Sequence, residues 1–298
     1  MEKVSKMALP RLLPAVFAAL AFVAVACGKK ADSRPVIAVS LEPQRYILEQ
    51  LVGDRFRVVS VLPQGGNPET FDPTLTSRRD VDNSAVYFTI GNLPFENTVV
   101  RSLSPDVKIV DTSAGIDPIY GTHGHGHSNF VGDNVRPDDF ADPHYWASVK
   151  NMRKISRVMY NQMLLTDPEH ADEYDRRFMA LDRHLDSLDR AFTERLAAAK
   201  DSAFLVWHPT LSYFARDYGF EQISVSADNK EVSLQTLRNV IDEAREHGVR
   251  VFFSHGYCNP GQAEAVIKGT GARLVEVDAA RYDWEDQLNK VVDELTRD

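Results

Sequence analysis

Four side chains in this sequence suit a divalent cation and share one kind of position: Glu69, His144, His208 and Asp278. Two imidazoles and two carboxylates form a four-donor set for a transition metal, with the oxygen donors making the set harder than an all-imidazole one. Each of the four follows a strand-like run or the loop after it. Taken singly, a His just past a strand also fits a hydrogen-bonded rim residue. The stretch Asp142-Pro143-His144-Tyr145-Trp146 also reads as a plain helix entry marked by its Asp-Pro turn. A second group of imidazoles, His123, His125 and His127, alternates with glycine inside a long loop. Such a tract cannot build a core. It binds metal weakly or serves as a polar surface loop.

The elements that must position these donors alternate regularly. Strand-like runs at 35–40, 56–62, 85–90 and 107–110 are separated by helical stripes at 42–51, 76–83 and 95–103. This is the signature of a mostly parallel sheet with helices on its faces, and such sheets bind ligands beyond their strand C-termini. Glu69 then lies on the turn cluster that starts at Pro63, just past a strand end. Residues 112–141 form a long, weakly structured loop carrying the His-Gly tract.

From Trp146 the apolar spacing turns helical through Val149, Met152, Ile155, Met159 and Met163. Asp167-Pro168 interrupts it, and a longer stripe covers 169–199. A helix of that length spans about 45 Å, the length of a strut rather than of an ordinary core helix. Strands at 203–207, 220–225, 249–254 and 272–277 follow, alternating with helices at 209–218, 233–246, 262–268 and 284–295.

The fold class is therefore α/β: two lobes, each a mostly parallel sheet flanked by helices, joined by a long bridging helix. A cleft between the lobes would bring the four donors together. The expected division is 35–145 for the first lobe, 146–200 for the bridge and 201–298 for the second lobe.

Composition sets the compartment and the class. The chain has 298 residues, 43% of them hydrophobic, enough for two real cores. Its net charge of -9 offers no basic field for nucleic acid. Lys3, Lys6 and Arg11 precede an apolar run over 12–26 that is short for a membrane span and fits a secretory signal. The segment Val25-Ala26-Cys27-Gly28 resembles a bacterial lipobox. It implies cleavage before Cys27, acylation of the Cys27 thiol, and a polar tether over 27–34. With Cys27 acylated, Cys258 has no partner for an internal disulfide and reads as a small buried hydrophobe.

From about Val36 to its end, the chain resembles the zinc/manganese-binding lipoproteins of metal ABC importers, the cluster A-I solute-binding proteins. Their first donor segment, Gly-x-(Asp)-Pro-His-x-(Tyr/Phe)-(Glu/Asp)-Pro, appears here as Gly66-Asn67-Pro68-Glu69-Thr70-Phe71-Asp72-Pro73. The second, Asp-Pro-His-x-Trp, is Asp142 to Trp146. The third is matched by His208, Tyr213, Phe214, Tyr218 and Gly219, and the fourth by Asp278 after the last strand.

The resemblance implies a monomeric extracytoplasmic receptor that is not an enzyme. It implies capture of Zn2+, or Mn2+, between Glu69 and His144 of one lobe and His208 and Asp278 of the other. It further implies an ABC permease as partner, a lipid anchor at Cys27 on the periplasmic side of a bacterial membrane, and little opening across the long helix. The His-rich loop with His123, His125 and His127 is typical of the zinc-importing branch. Two departures stand out. Glu69 occupies a position where the family has His. The strand that usually ends in an acidic residue before Pro here ends Ser254-His255-Gly256, making His255 a substitute donor, an additional donor or a rim residue. The rival from another class is a secreted zinc hydrolase, which would keep one coordination position open for water.

Overall fold

The computed structural model describes residues 32–120, 141–199, 203–226, 230–256 and 258–297. Cys27 and the tract His123, His125 and His127 lie outside the described residues. The first sheet is built from β1 (Val36–Val39), β2 (Arg57–Ser60), β3 (Ser84–Thr89) and β4 (Lys108–Asp111), in the order β2-β1-β3-β4 with every pairing parallel. Three helices alternate with them: α1 (Glu42–Val52), α2 (Leu75–Asp82) and α3 (Pro94–Val100). Ile37, Ala38 and Val39 of β1 are fully buried, which is why the central strand reads as an unbroken apolar run.

The second sheet repeats the design. Strands β5 (Ala203–Val206), β6 (Glu221–Ser224), β7 (Val251–Ser254) and β8 (Arg273–Glu276) are ordered β6-β5-β7-β8, again all parallel. They alternate with α6 (Ser212–Tyr218), α7 (Leu234–Glu246), α8 (Pro260–Thr270) and the closing α9 (Trp284–Leu295). In both sheets the chain steps to one side of the first strand and then to the other. That reversal opens a crevice at the C-terminal edge of the strands.

The bridge consists of α4 (Val149–Thr166) and α5 (Ala171–Leu196). Ser148 caps α4 by accepting from the Asn151 N–H. Periodicity alone starts the long helix at Glu169, but Pro168–His170 form a 3-10 turn first. Asp167 is the cause: its carboxylate takes the His170 Nδ1 at 2.8 Å and the Tyr174 hydroxyl at 2.5 Å, pinning the turn in place. The resulting α5 has 26 residues and is about 39 Å long. Likewise α6 begins at Ser212 rather than at Pro209. The Thr210 N–H closes a tight turn on the His208 carbonyl at 2.6 Å, and the Gln222 side chain from β6 receives the Leu211 N–H at 2.8 Å. Among the described residues no helix is long and apolar enough to cross a membrane.

One apolar core runs through both sheets and the bridge. It joins Val39 and Phe88 of the first sheet, Met152 and Leu185 of the bridge, and Phe204, Phe253 and Trp284 of the second half. The alternate residues Leu205, Trp207 and Phe252 face a smaller core on the other side of the second sheet with Leu237 and Val266. Successive residues of β5 thus serve two cores, as the two-residue period of a strand requires.

Candidate metal centre

Glu69 is delivered by the loop after β2. The Gly66 N–H bonds the Pro63 carbonyl at 2.9 Å, and Gly65 holds φ +78 at the third position of that turn, a conformation other residues resist. The Glu69 N–H then bonds the Asn67 Oδ1 at 2.9 Å, and Phe71 packs edge-on against Phe95 at 5.4 Å between ring centres. The loop is therefore held on both sides of the carboxylate.

His144 is almost completely enclosed. The Asp142 Oδ1 accepts both the His144 backbone N–H and its Nδ1–H, each at 2.8 Å, and Asp142 itself is fully buried. This bond places the proton of the neutral ring on Nδ1 and leaves Nε2 as the donor lone pair. Trp146 packs beside the ring at 5.1 Å. His208, two residues past β5 and equally buried, meets Glu69 with Nε2 to Oε1 at 2.7 Å, and its ring centre stands 5.2 Å from that of His144.

Among the described residues, Glu69, His144 and His208 form a group whose ligand atoms all lie within 4.8 Å of one another. Asp278, two residues past β8, is outside that group. It lines the same cleft, as does His255, but its Oδ1 accepts the Ala280 N–H at 3.0 Å. Burial raises the Asp278 pKa above the usual carboxylate range, opposed in part by that N–H and by Arg281. His255 is pushed down to about 4 by burial and by the His208 and His144 rings, so it offers a neutral imidazole.

The holding role of Asp142 is one that the sequence reading passed over. The signal was present: an Asp two residues before a His closes an Asx turn whose carboxylate can reach back to the imidazole. Replacing Asp142 by alanine should weaken zinc binding by about 10–100-fold, as loss of an orienting carboxylate does elsewhere. Competition against a chelating dye reads that loss, and unchanged affinity would remove Asp142 from the site.

The same contact sets a pH dependence. Burial works against a charge on His144, but the Asp142 charge, the hydrogen bond to it and Glu69 outweigh burial, so its pKa is raised. In the metal-free protein this raised value contributes stability below the unfolded imidazole pKa, and the contribution is lost as pH rises through the folded value. A divalent cation bound through His144 would have to displace that proton. The stabilisation conferred by zinc should therefore shrink on acidification through the histidine range, as read by melting curves with and without Zn2+. A zinc increment constant across that range would contradict the assignment of His144 as a donor.

Comparison with known proteins extends the picture. Residues 37–296 match the family model described as zinc-uptake complex component A, periplasmic. A Chlamydia trachomatis protein provisionally described as metal-binding is 29% identical over 223 residues, 74% of this chain and 76% of its own length. The high-affinity zinc uptake system protein ZnuA of Bacillus subtilis is 22% identical over 273 residues, 87% of this chain and 85% of its own. Among solved structures, that of a ZnuA is similar with a TM-score of 0.78 at 27% identity, covering 88% of this chain and 98% of the other.

Proposed function

The chain belongs to the family of periplasmic zinc-uptake component A proteins, and on that premise we propose that it captures Zn2+ outside the cytoplasm and hands it to the permease of a metal ABC importer. The observation that carries the reading is the convergence of Glu69, His144 and His208, from three separate segments, within 4.8 Å. The Glu69 Oε1 and the His208 Nε2 stand 2.7 Å apart, two ligand atoms that a cation would bridge. With zinc bonds of about 2.0–2.1 Å and a tetrahedral angle, those atoms would stand roughly 3.3 Å apart, so the metal enters by a displacement below 1 Å.

The fourth donor comes from the wall formed by His255 and Asp278. The shared core between the two sheets favours small movements over wide opening, and release is by a slight parting of that wall at the permease. Cys27 anchors the chain to the membrane as a lipoprotein. The loop with His123, His125 and His127 gathers zinc weakly, as a glycine-spaced histidine tract does.

Glu69 tests the reading most sharply, because imidazole is usual at its position in the family. Zn2+ should bind the native protein more tightly than Mn2+, following the order for nitrogen and oxygen sites. Glu69→His should widen that ratio by removing the hard donor, and Glu69→Gln should weaken both metals by removing the charge. Competitive titration of the three proteins decides. Identical affinities throughout would exclude Glu69 from the coordination sphere.

A further inference from the structure

We infer that His255 supplies the fourth donor to the bound cation, giving three imidazoles and one carboxylate, while Asp278 stays outside the coordination sphere. The inference rests on the proposed capture of zinc by Glu69, His144 and His208, and it names the residue that completes that site.

Sheet order is the first argument. His208 follows β5, and His255 is the first residue past β7, the strand hydrogen-bonded directly to β5. Asp278 follows β8, one strand further out. Adjacent strands are about 4.8 Å apart, so the end of β7 is one spacing from the His208 strand and the end of β8 is two, roughly 10 Å.

Ring geometry is the second. Two imidazoles on one tetrahedral zinc, each bound at about 2.0–2.1 Å, have ring centres about 5 Å apart. His144 and His208 already stand 5.2 Å apart. His208 and His255 are 6.0 Å apart with their planes at 76°, so a shift of about 1 Å completes the geometry.

The third is what holds Asp278. Its Oδ1 receives the Ala280 N–H at 3.0 Å, and its own N–H is fixed on the Gln287 side chain at 3.1 Å. The charges acting on it are those of Arg281, Asp283 and Glu276, all from its own end of the chain. These contacts hold the carboxylate over the residues that follow it in the chain. Gly256, with φ +83, turns the backbone directly after His255.

The chemical consequence is selectivity. A third imidazole in place of a second carboxylate leaves the bound site with one more positive charge and a softer donor set, which favours zinc over manganese. His255 thereby compensates in donor type for the carboxylate at position 69.

Zinc-edge X-ray absorption on the zinc-loaded full chain counts bound imidazoles from their outer-shell scattering. Three are expected in the native protein, two in His255→Gln and three in Asp278→Asn. In parallel, His255→Gln should weaken zinc by about tenfold or more and narrow the zinc-to-manganese ratio, while Asp278→Asn should change zinc affinity by less than about threefold. Two imidazoles in the native protein, or a tenfold loss in Asp278→Asn without one in His255→Gln, would overturn the inference. His144→Ala separates the two levels. Wild-type zinc affinity in that variant would remove the whole cleft as the site and His255 with it. Loss of binding there, combined with an unaffected His255→Gln, would overturn only the role of His255.

Discussion

Alanine at position 144 or 208 is expected to remove nearly all of the stabilisation that Zn2+ gives the native protein. A ligand that binds only the folded state at about 1,000 times its Kd adds about 4 kcal/mol to the unfolding free energy. For a chain of this size that is a rise in Tm of roughly 10 °C. Both histidines are almost fully buried against the other donors, so neither can be replaced from solvent.

The two variants should differ without metal. His144→Ala deprives the buried Asp142 carboxylate of its Nδ1–H partner, which should lower the metal-free stability by about 1–3 kcal/mol. His208→Ala leaves Glu69, already partly exposed, able to meet water, so its metal-free cost should be smaller. The quantity to compare is therefore the difference between melting curves with and without zinc in each protein. A full zinc-induced shift in both variants would sink the assignment of the site.

Much of this architecture was legible because parallel strands buried on both faces appear as unbroken apolar runs. Val36–Val39 and Ala203–Val206 announce themselves in that way. Glu69, His144 and His208, whose ligand atoms converge within 4.8 Å, stood out as candidates for a related reason: each follows a strand or the loop after it, at the edge where the fold class puts its ligands. What could not be read were partners supplied by other parts of the chain. The start of α6 is set by Gln222 on a neighbouring strand, and nothing between His208 and Ser212 reports that. The start of α5 is set by the grip of Asp167 on His170 and Tyr174, a carboxylate that Arg55 also reaches from far back in the chain at 3.3 Å.

The sequence put Asp278 among the four donors and left His255 at the same edge as a substitute donor, an additional donor or a rim residue. Their ranking depends on strand order and on the Ala280 N–H, both tertiary facts. The shared core supports the expectation of limited opening, since parting the sheets widely would expose apolar surface on both sides of the joint.

That joint should fail visibly when Trp284 is cut back. The residue begins α9, is fully buried, and its ring lies 6.4 Å from Tyr46 on α1, so it ties the closing helix to the first sheet's layer. Its Nε1–H donates to the Trp146 carbonyl at 2.5 Å. Trp284→Ala removes a large buried ring and that donor together, and should cost about 3–5 kcal/mol of metal-free stability. The midpoint of denaturant unfolding should fall with little change in slope. Trp284→Phe keeps most of the apolar burial and loses the donor, leaving the Trp146 carbonyl unpaired at a cost of about 1–3 kcal/mol. Because Trp146 packs against the His144 ring, a shift of its backbone displaces a proposed donor. Zinc affinity should therefore fall in Trp284→Ala and fall less in Trp284→Phe. Unfolding free energies within about 1 kcal/mol of the native protein in both variants would show that the joint is held elsewhere. A stability loss without any change in zinc affinity would confine the role of Trp284 to packing and detach it from the metal site.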